Sequence, residues 1–398
     1  MIKKSPATCK RPKGSRSVQQ AKIPALRPLL PRADRLLPHL RTIDATRHYT
    51  NWGPLTCEFE RRLSIHFGLP ENGVVTASSG TAALVGAILA IAGHATRERP
   101  LAIIPALTFV ATAVAAERCG YRPYLVDVDA ESWLLDAGRL DHHPFLNQIG
   151  VVIPVAAYGR PVPQGAWIAF RDRTHIPVVI DGGASFEAIS ADPTRFMGEI
   201  PTVMSFHATK SFATAEGGCV TTTDSHLSML VTRALNFGFY ESRDSRSAST
   251  NGKMSEYHAA IGLAELDGWP AKCRTLARVA ARYRQRFEAS GLAARFFAAP
   301  SVAGCYALFR CSDAVEVASV QESFTDANIE FRFWYGGGLL GQPHFSDLPH
   351  DSLKVTEQIA LLTIGLPVAV DLADWAIERV VSAIESAAHS RIALSDEL

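Results

Sequence analysis

Ser205-Phe206-His207-Ala208-Thr209-Lys210, followed by Ala215-Glu216-Gly217-Gly218, is the stretch on which the reading of this chain turns. It sets a lysine among small and hydroxyl neighbours, after an apolar strand and before a glycine turn. A bulky anion can be held in such surroundings. One strand upstream, Pro177-Val178-Val179-Ile180 ends on Asp181. A carboxylate at one strand end and a lysine at the next are the two groups that pyridoxal 5'-phosphate needs. The amine carries the cofactor as a Schiff base, and the carboxylate keeps its ring nitrogen protonated. Lys210 and Asp181 are thus the candidate catalytic pair, with pyridoxal 5'-phosphate the expected cofactor.

Working outward, short apolar runs alternate with helical patterns from about residue 74 to 222. The spacing predicts strands at Leu101 to Pro105, Tyr124 to Val128, Val151 to Val155, Val178 to Asp181, Val203 to Phe206 and Gly218 to Thr222. Helical stretches such as Ala82 to Ala92 and Ala111 to Glu117 lie between them. Val- and Ile-rich strands separated by helices argue for an α/β fold with a large, mainly parallel sheet. Ligands on such sheets gather at the carboxyl ends of the strands, where Asp181 falls. Residues 241–253 are polar and Ser-rich and read as a loop. A helix follows from about Ser255 to Ala289, with an interruption expected near Pro270. A strand at Tyr306 to Cys311, a helix at Val315 to Ala327, a strand at Ile329 to Phe333 and a last helix at Leu372 to Ala388 form a smaller α+β domain. The expected division is a basic, disordered tail over 1–25, a large cofactor-binding domain over 26–245 and a small domain over 246–398, with the N-terminal segment packing on the small domain.

The chain has 398 residues, enough for two domains and a large core, and its 47% hydrophobic content is that of an ordinary globular protein. A formal net charge of +1 gives no global electrostatic case for nucleic acid or a membrane surface. No run approaches the roughly 18 consecutive apolar residues of a membrane helix. The first 33 residues carry no acid and lack an apolar stretch, so a secretory signal is not expected there. Seven cysteines are scattered without a Cys-x-x-Cys pair, so reduced thiols in a cytoplasmic protein are expected and a metal site is not.

Ser78-Ser79-Gly80-Thr81-Ala82-Ala83 opens an apolar helix, and free amides at the positive end of a helix suit a phosphate. Alone it would be an ordinary cap. Ser205, Thr209 and Lys210 supply the company that favours the phosphate. Phe109 follows the strand ending at Pro105 and could stack on the cofactor ring, although such a phenylalanine is more often core. Gly182 and Gly183 after Asp181 permit close approach of backbone to a flat ligand. Asn251 and Lys253, in Asn251-Gly252-Lys253, offer a phosphate an amide donor and a positive charge, but read equally as a loop before a helix cap.

Taken together and in order, Tyr49-Thr50-Asn51-Trp52-Gly53-Pro54, Ser78 to Ala83, Pro105 to Thr112, Asp181-Gly182-Gly183, Ser205 to Gly218 and Asn251 to Gly262 resemble the pyridoxal-phosphate-dependent sugar aminotransferases of the DegT/DnrJ/StrS group. The resemblance spans roughly residues 25 to 385. It implies a fold-type-I aminotransferase, a homodimer with active sites shared between subunits. By the same likeness Lys210 is the Schiff-base lysine, Asp181 the partner of the ring nitrogen and Phe109 the stacking aromatic. Gly80, Thr81 and Ser205 match phosphate ligands of the same subunit, and Asn251 a phosphate ligand given by the neighbouring one. The implied reaction moves an amino group from glutamate or glutamine to a keto sugar, one linked to a nucleotide in relatives of this kind.

Some positions depart from the group's pattern. Ala184 stands where Gln or His often contacts the ring hydroxyl, with Ser185 beside it as a substitute. Ala215 replaces the glycine that usually precedes Glu-Gly-Gly, and Leu340 takes a place where His is common. Arg332-Phe333-Trp334-Tyr335 resembles a substrate-side loop, so Arg332, Trp334 and Tyr335 join Ser185 and Lys253 as substrate-side candidates. Relatives that dehydrate sugars carry histidine in place of the Schiff-base lysine, and Lys210 disfavours that chemistry. A cyclitol aminotransferase and a cofactor-binding regulatory or scaffold protein without turnover are the alternative readings.

Overall fold

Runs of Val and Ile with no polar face must be covered on both sides, and that requirement shapes the large half of the molecule. The computed structural model describes residues 21–395. Its elements run in the order α1 (Ala33–Thr46), α2 (Pro54–His66), β1 (Val74–Ala77), α3 (Gly80–Ile91), β2 (Leu101–Pro105), α4 (Val110–Arg118), β3 (Arg122–Val126), α5 (Ala137–Leu140) and β4 (Ile149–Val152). Then follow α6 (Gln164–Thr174), β5 (Ile180–Asp181), α7 (Phe186–Ala191), α8 (Pro193–Phe196), β6 (Thr202–Ser205), β7 (Gly218–Thr221) and α9 (Ser225–Leu235). The last third comprises α10 (Glu256–Ala289), β8 (Phe296–Ala298), β9 (Ala307–Arg310), α11 (Ala314–Asp326), α12 (Lys354–Leu362), β10 (Thr363–Gly365) and α13 (Asp374–Ser395).

The strands pair as β3-β2-β4 and as β1-β7-β6-β5. Parallel bridges Val152↔Val178 and Val155↔Asp181 join the two groups into one continuous surface. Only β7 in it runs against its neighbours, β6 on one side and β1 on the other. The sheet is therefore mainly parallel, as the pattern predicts. Its strand ends differ from the predicted ones by up to three residues. At Val178 to Asp181 only Ile180–Asp181 forms a ladder with β6, while Val178 bridges Val152 on the opposite side. Helix α3 is apolar on every side and is buried almost throughout, between the sheet and α9.

A second, antiparallel sheet of order β10-β9-β8 is covered by α11, α13 and the far end of α10. The segment predicted as a strand at Ile329 to Phe333 is not one. It makes single bridges, Ile329 to Ile23 and Arg332 to Gly365, so two different neighbours share it and no ladder extends. Ile23 and Ala25 are buried, with Ile23 inside the small sheet's core. Packing thus begins within the last residues of the segment read as a tail; residues 1–20 of that tail lie outside the described residues.

Helix α10 joins the two halves. Leu263, Leu266 and Trp269 belong to the core beneath the large sheet's edge, whereas Leu276, Val279, Tyr283 and Phe287 belong to the small core. The expected interruption near Pro270 is absent, and the helix runs through it. A proline within a helix costs about 3 kcal/mol; here both flanking turns are held by separate cores, which hold the helix together across it. At its start Ser255 caps the helix, accepting from His258 N at 3.3 Å. Glu256 reaches across to cap α2, accepting from Leu55 N at 2.8 Å and Thr56 N at 2.9 Å. One turn further, α2 crosses α10 so closely that a Cβ at Gly262 would stand 2.5 Å from the Phe59 ring. Phe59 in turn lies against Phe206 and Phe212. Gly262→Ala is expected to destabilise the fold by about 1–3 kcal/mol through overpacking, read as a lower urea midpoint. An unchanged midpoint would contradict this account of the crossing.

Candidate active site

The lysine-bearing turn is held from below by aromatic packing. Phe206 and Phe212 flank it, both fully buried, and Phe212 stacks on Phe186 at 4.1 Å between centroids. Backbone bonds close the turn: Phe206 N to Gly217 O, Ala208 N to Ala215 O, Thr214 N to Phe206 O and Lys210 N to His207 O, each at 2.8 Å. Ala215 takes φ 69°, a left-handed conformation that glycine adopts with less strain. Lys210 is half-buried at the tip.

Asp181 ends β5 at the carboxyl edge of the sheet. Its Oδ2 accepts from Thr112 Oγ1 at 2.7 Å, and its Oδ1 accepts from Gly183 N at 3.0 Å. Burial pushes its carboxyl pKa up, while the Thr112 and Gly183 bonds and the Lys210 ammonium pull it down. Lys210 is thus near enough for its charge to bear on Asp181. Thr112 lies one helical turn beyond Phe109, so the bond to Asp181 also fixes the start of α4. Phe109 itself is 59% exposed, an uncovered ring at the lip of the site.

Residues of three strands meet beside them. Ser205 at the end of β6 pairs with Gly218 at the start of β7, which pairs with Ala77 at the end of β1. Ala77 leads into the cap of α3, where Ser79 Oγ accepts from Ala82 N at 3.0 Å. A Cβ at Gly80 would stand 2.7 Å from Ser205 Cβ, and one at Gly218 would stand 2.7 Å from Gly80 N. Two glycines therefore bring the amino end of α3, with Gly80 and Thr81, against Ser205. Helix amides and a hydroxyl converge there, as an anion requires.

The small half supplies a third wall. Leu339 N donates to Ala106 O at 3.1 Å, which lays the glycine loop 336–338 over the end of β2. Tyr335, at φ 70°, stacks on Tyr158 at 4.7 Å, and its hydroxyl accepts from Tyr158 N at 3.1 Å. Burial raises the Tyr335 phenol, and the Lys210 charge opposes that rise. Tyr306 is buried between Tyr158 and Trp334.

Of the predicted residues, the structure gathers Gly80, Thr81, Phe109, Asp181, Ser205 and Lys210 at one edge of the sheet, with Trp334 and Tyr335 behind. Ser185 is buried beside Gly182, and its Oγ has no hydrogen-bond partner among the described residues. Asn251 and Lys253 sit on a neighbouring turn whose Gly252 O accepts from Ser78 N at 2.7 Å. Lys253 Nζ donates to Asn251 Oδ1 at 2.7 Å and lies over the Phe237 ring. Arg332 is exposed, and its guanidinium donates to the Phe331 carbonyl at 2.9 Å. Thr112, Tyr158 and Tyr306 are site residues that no motif in the sequence marks. Thr112 alone left a trace, its spacing of three from Phe109 on one helix face.

These groups fit pyridoxal 5'-phosphate. A cradle that a single Cβ would fill lies at a helix amino end, a buried carboxylate lies within reach of a lysine's charge, and an aromatic ring stands uncovered. Among the described residues no cluster of His, Cys, Asp and Glu could hold a metal ion, and no helix is long and apolar enough to cross a membrane.

Comparison with known proteins agrees. Residues 33–385 match the model of the DegT/DnrJ/EryC1/StrS aminotransferase family. The chain is 34% identical over 375 residues to Protein Rv3402c of Mycobacterium tuberculosis (strain ATCC 25618 / H37Rv), covering 92% of this chain and 90% of that one. It is 28% identical over 261 residues to a dTDP-4-amino-4,6-dideoxy-D-glucose transaminase of Shigella dysenteriae, covering 66% of this chain and 69% of that one. Among solved structures, DesI in the presence of its TDP-sugar product superposes with a TM-score of 0.82 at 26% identity, covering 94% of this chain and 95% of that chain.

The Thr112 bond makes a pH prediction. Its hydroxyl favours the ionised Asp181, so Thr112→Val raises the carboxyl pKa further. The acidic limb of the kcat/KM profile for transamination then moves to higher pH. A limb that stays in place would show that Asp181 does not govern it.

Proposed function

Because the chain belongs to the DegT/DnrJ/EryC1/StrS aminotransferase family, we propose that it uses pyridoxal 5'-phosphate to move an amino group from glutamate or glutamine to a keto sugar carried on a nucleotide. The observation that carries this reading is the pairing of a buried Asp181 with Lys210 beside the glycine-lined start of α3. The nucleotide is suggested by the relatives: a dTDP-4-amino-4,6-dideoxy-D-glucose transaminase, a GDP-perosamine synthase and a UDP-2-acetamido-2-deoxy-3-oxo-D-glucuronate aminotransferase lie among the similar proteins.

Each group has work that its surroundings suit. The amino end of α3, through Gly80 and Thr81, and the Ser205 hydroxyl would bind the phosphate. Asp181, whose carboxylate form the Thr112 and Gly183 bonds favour against the effect of burial, would hold a proton on the ring nitrogen. Phe109 would lie against one ring face. When bound, the cofactor supplies an electron-accepting ring that stabilises negative charge on the carbon losing its proton. Lys210, its amine free during each half of the reaction, would take that proton and return it. Ser185, with its unpartnered hydroxyl, would offer the hydrogen bond that Ala184 cannot. Tyr335 and Trp334 would border the sugar, with Lys253 and Arg332 further out as charged contacts for the nucleotide.

The reading includes a homodimer that shares its active sites, with Asn251 binding the phosphate of the partner's site. Exposed Phe237 and Tyr240 are the kind of surface that a second copy would cover. A cytoplasmic setting accords with the described cysteines, all of them free. In the purified holoenzyme, glutamate or glutamine should bleach the visible absorption band, and a nucleotide-linked keto sugar should restore it. Lys210→Ala is expected to lower turnover by about a thousandfold or more. Transamination at the wild-type rate by that variant would sink the assignment.

A further inference from the structure

Directly behind Lys210 lies a buried-edge carboxylate that none of these roles uses. Glu187, in the first turn of α7, accepts from Ser211 Oγ at 3.0 Å and also from the Gly304 backbone N–H. Ser211 follows Lys210 in the chain, and its Oγ accepts from Cys305 N at 3.0 Å. The serine hydroxyl thus donates one bond and receives another, using its single proton and a lone pair. The fit is close: a Cβ at Gly304 would stand 2.5 Å from Glu187 Oε1 and would push the carboxylate from its place. Burial raises the Glu187 carboxyl, and the Gly304 and Ser211 bonds and the Lys272 ammonium lower it again.

Three pieces of the molecule meet in this cluster. Helix α7 descends from the Asp181 loop, the Ser211 hydroxyl belongs to the Lys210 turn, and Gly304-Cys305 belongs to the small half. The next residue, Tyr306, is buried in the wall of the site, where the Asp181 charge acts on its phenol. The loop and the lysine are therefore not set by separate supports. Displacing the small half would pull on the peptide that carries the reactive amine.

We propose that Glu187 is a positioning residue, which clamps the Ser211 hydroxyl and the Gly304 amide so that the Lys210 turn and the 304–306 loop are held as one unit. The clamp rests on the reading of Lys210 as the reactive amine. It acts on where that amine stands, and not on the chemistry itself. A loosened clamp should therefore slow the proton transfers more than it weakens substrate binding. It should also alter the proton affinity of the lysine nitrogen joined to the cofactor.

The test compares holoenzyme of the wild type with Ser211→Ala, Ser211→Thr and Glu187→Gln. Ser211→Ala is expected to lower kcat about tenfold, with KM for the amino donor nearly unchanged. The pH at which its visible band changes colour should shift by about half a unit or more. Ser211→Thr, which keeps the hydroxyl, should restore both values. Glu187→Gln should show the same kind of shift, and combining it with Ser211→Ala should add little, because both break one clamp. Should Glu187→Gln fail to fold, the two serine variants carry the measurement alone. A Ser211→Ala enzyme with wild-type kcat and an unmoved titration, melting at a lower temperature only, would overturn the proposal. A visible band that survives in Lys210→Ala would instead overturn the reading of Lys210, a result that no clamp variant can imitate.

Discussion

The contact between Gly80, Ser205 and Gly218 is the constraint on which the rest of the site depends. Here the backbones of a helix start, a parallel strand end and an antiparallel strand start come within van der Waals reach, and side chains at the two glycines would prevent it. The antiparallel β7 makes the approach possible. It returns from the Lys210 turn between β6 and β1, so its first residue meets the last residues of both neighbours. The positive end of α3 is thereby set beside the lysine, and not merely somewhere along the sheet edge. Moving β7 to another place in the order would separate the anion site from the amine.

The electrostatics follow from that placement. A carboxylate buried at the end of β5 is costly unless it is bonded and balanced. Thr112 and Gly183 supply the bonds, and Lys210 supplies part of the balance. A positive charge beside the carboxylate would complete it, as the protonated ring nitrogen of pyridoxal 5'-phosphate would supply. The small half then closes the other side through Tyr335, Tyr306 and the glycine loop against Ala106.

Much of this was legible in the chain. The Val- and Ile-rich runs located six strands of the large sheet, because burial on both faces leaves a continuous apolar signal. Lys210, Asp181, Gly80 and Ser205 were legible as well, since each stands at an element boundary with small neighbours. Pairings between distant segments left no such mark. Tyr158 and Tyr335 meet across 177 positions, and Glu187 meets Gly304 across 117. Local rules also misjudged places that tertiary packing decides. Pro270 breaks an isolated helix, yet two cores hold α10 through it. Ile329 to Phe333 has the composition of a strand, but its neighbours offer only single bridges.

The central claim is that the cofactor is held by Lys210. Reducing the holoenzyme with borohydride and locating the pyridoxyl group by peptide mass spectrometry tests it most directly. The account predicts one modified peptide, with the label on Lys210 of the Ser205–Gly218 turn. A label on any other lysine, or a reduced protein that releases all of its cofactor, would contradict it.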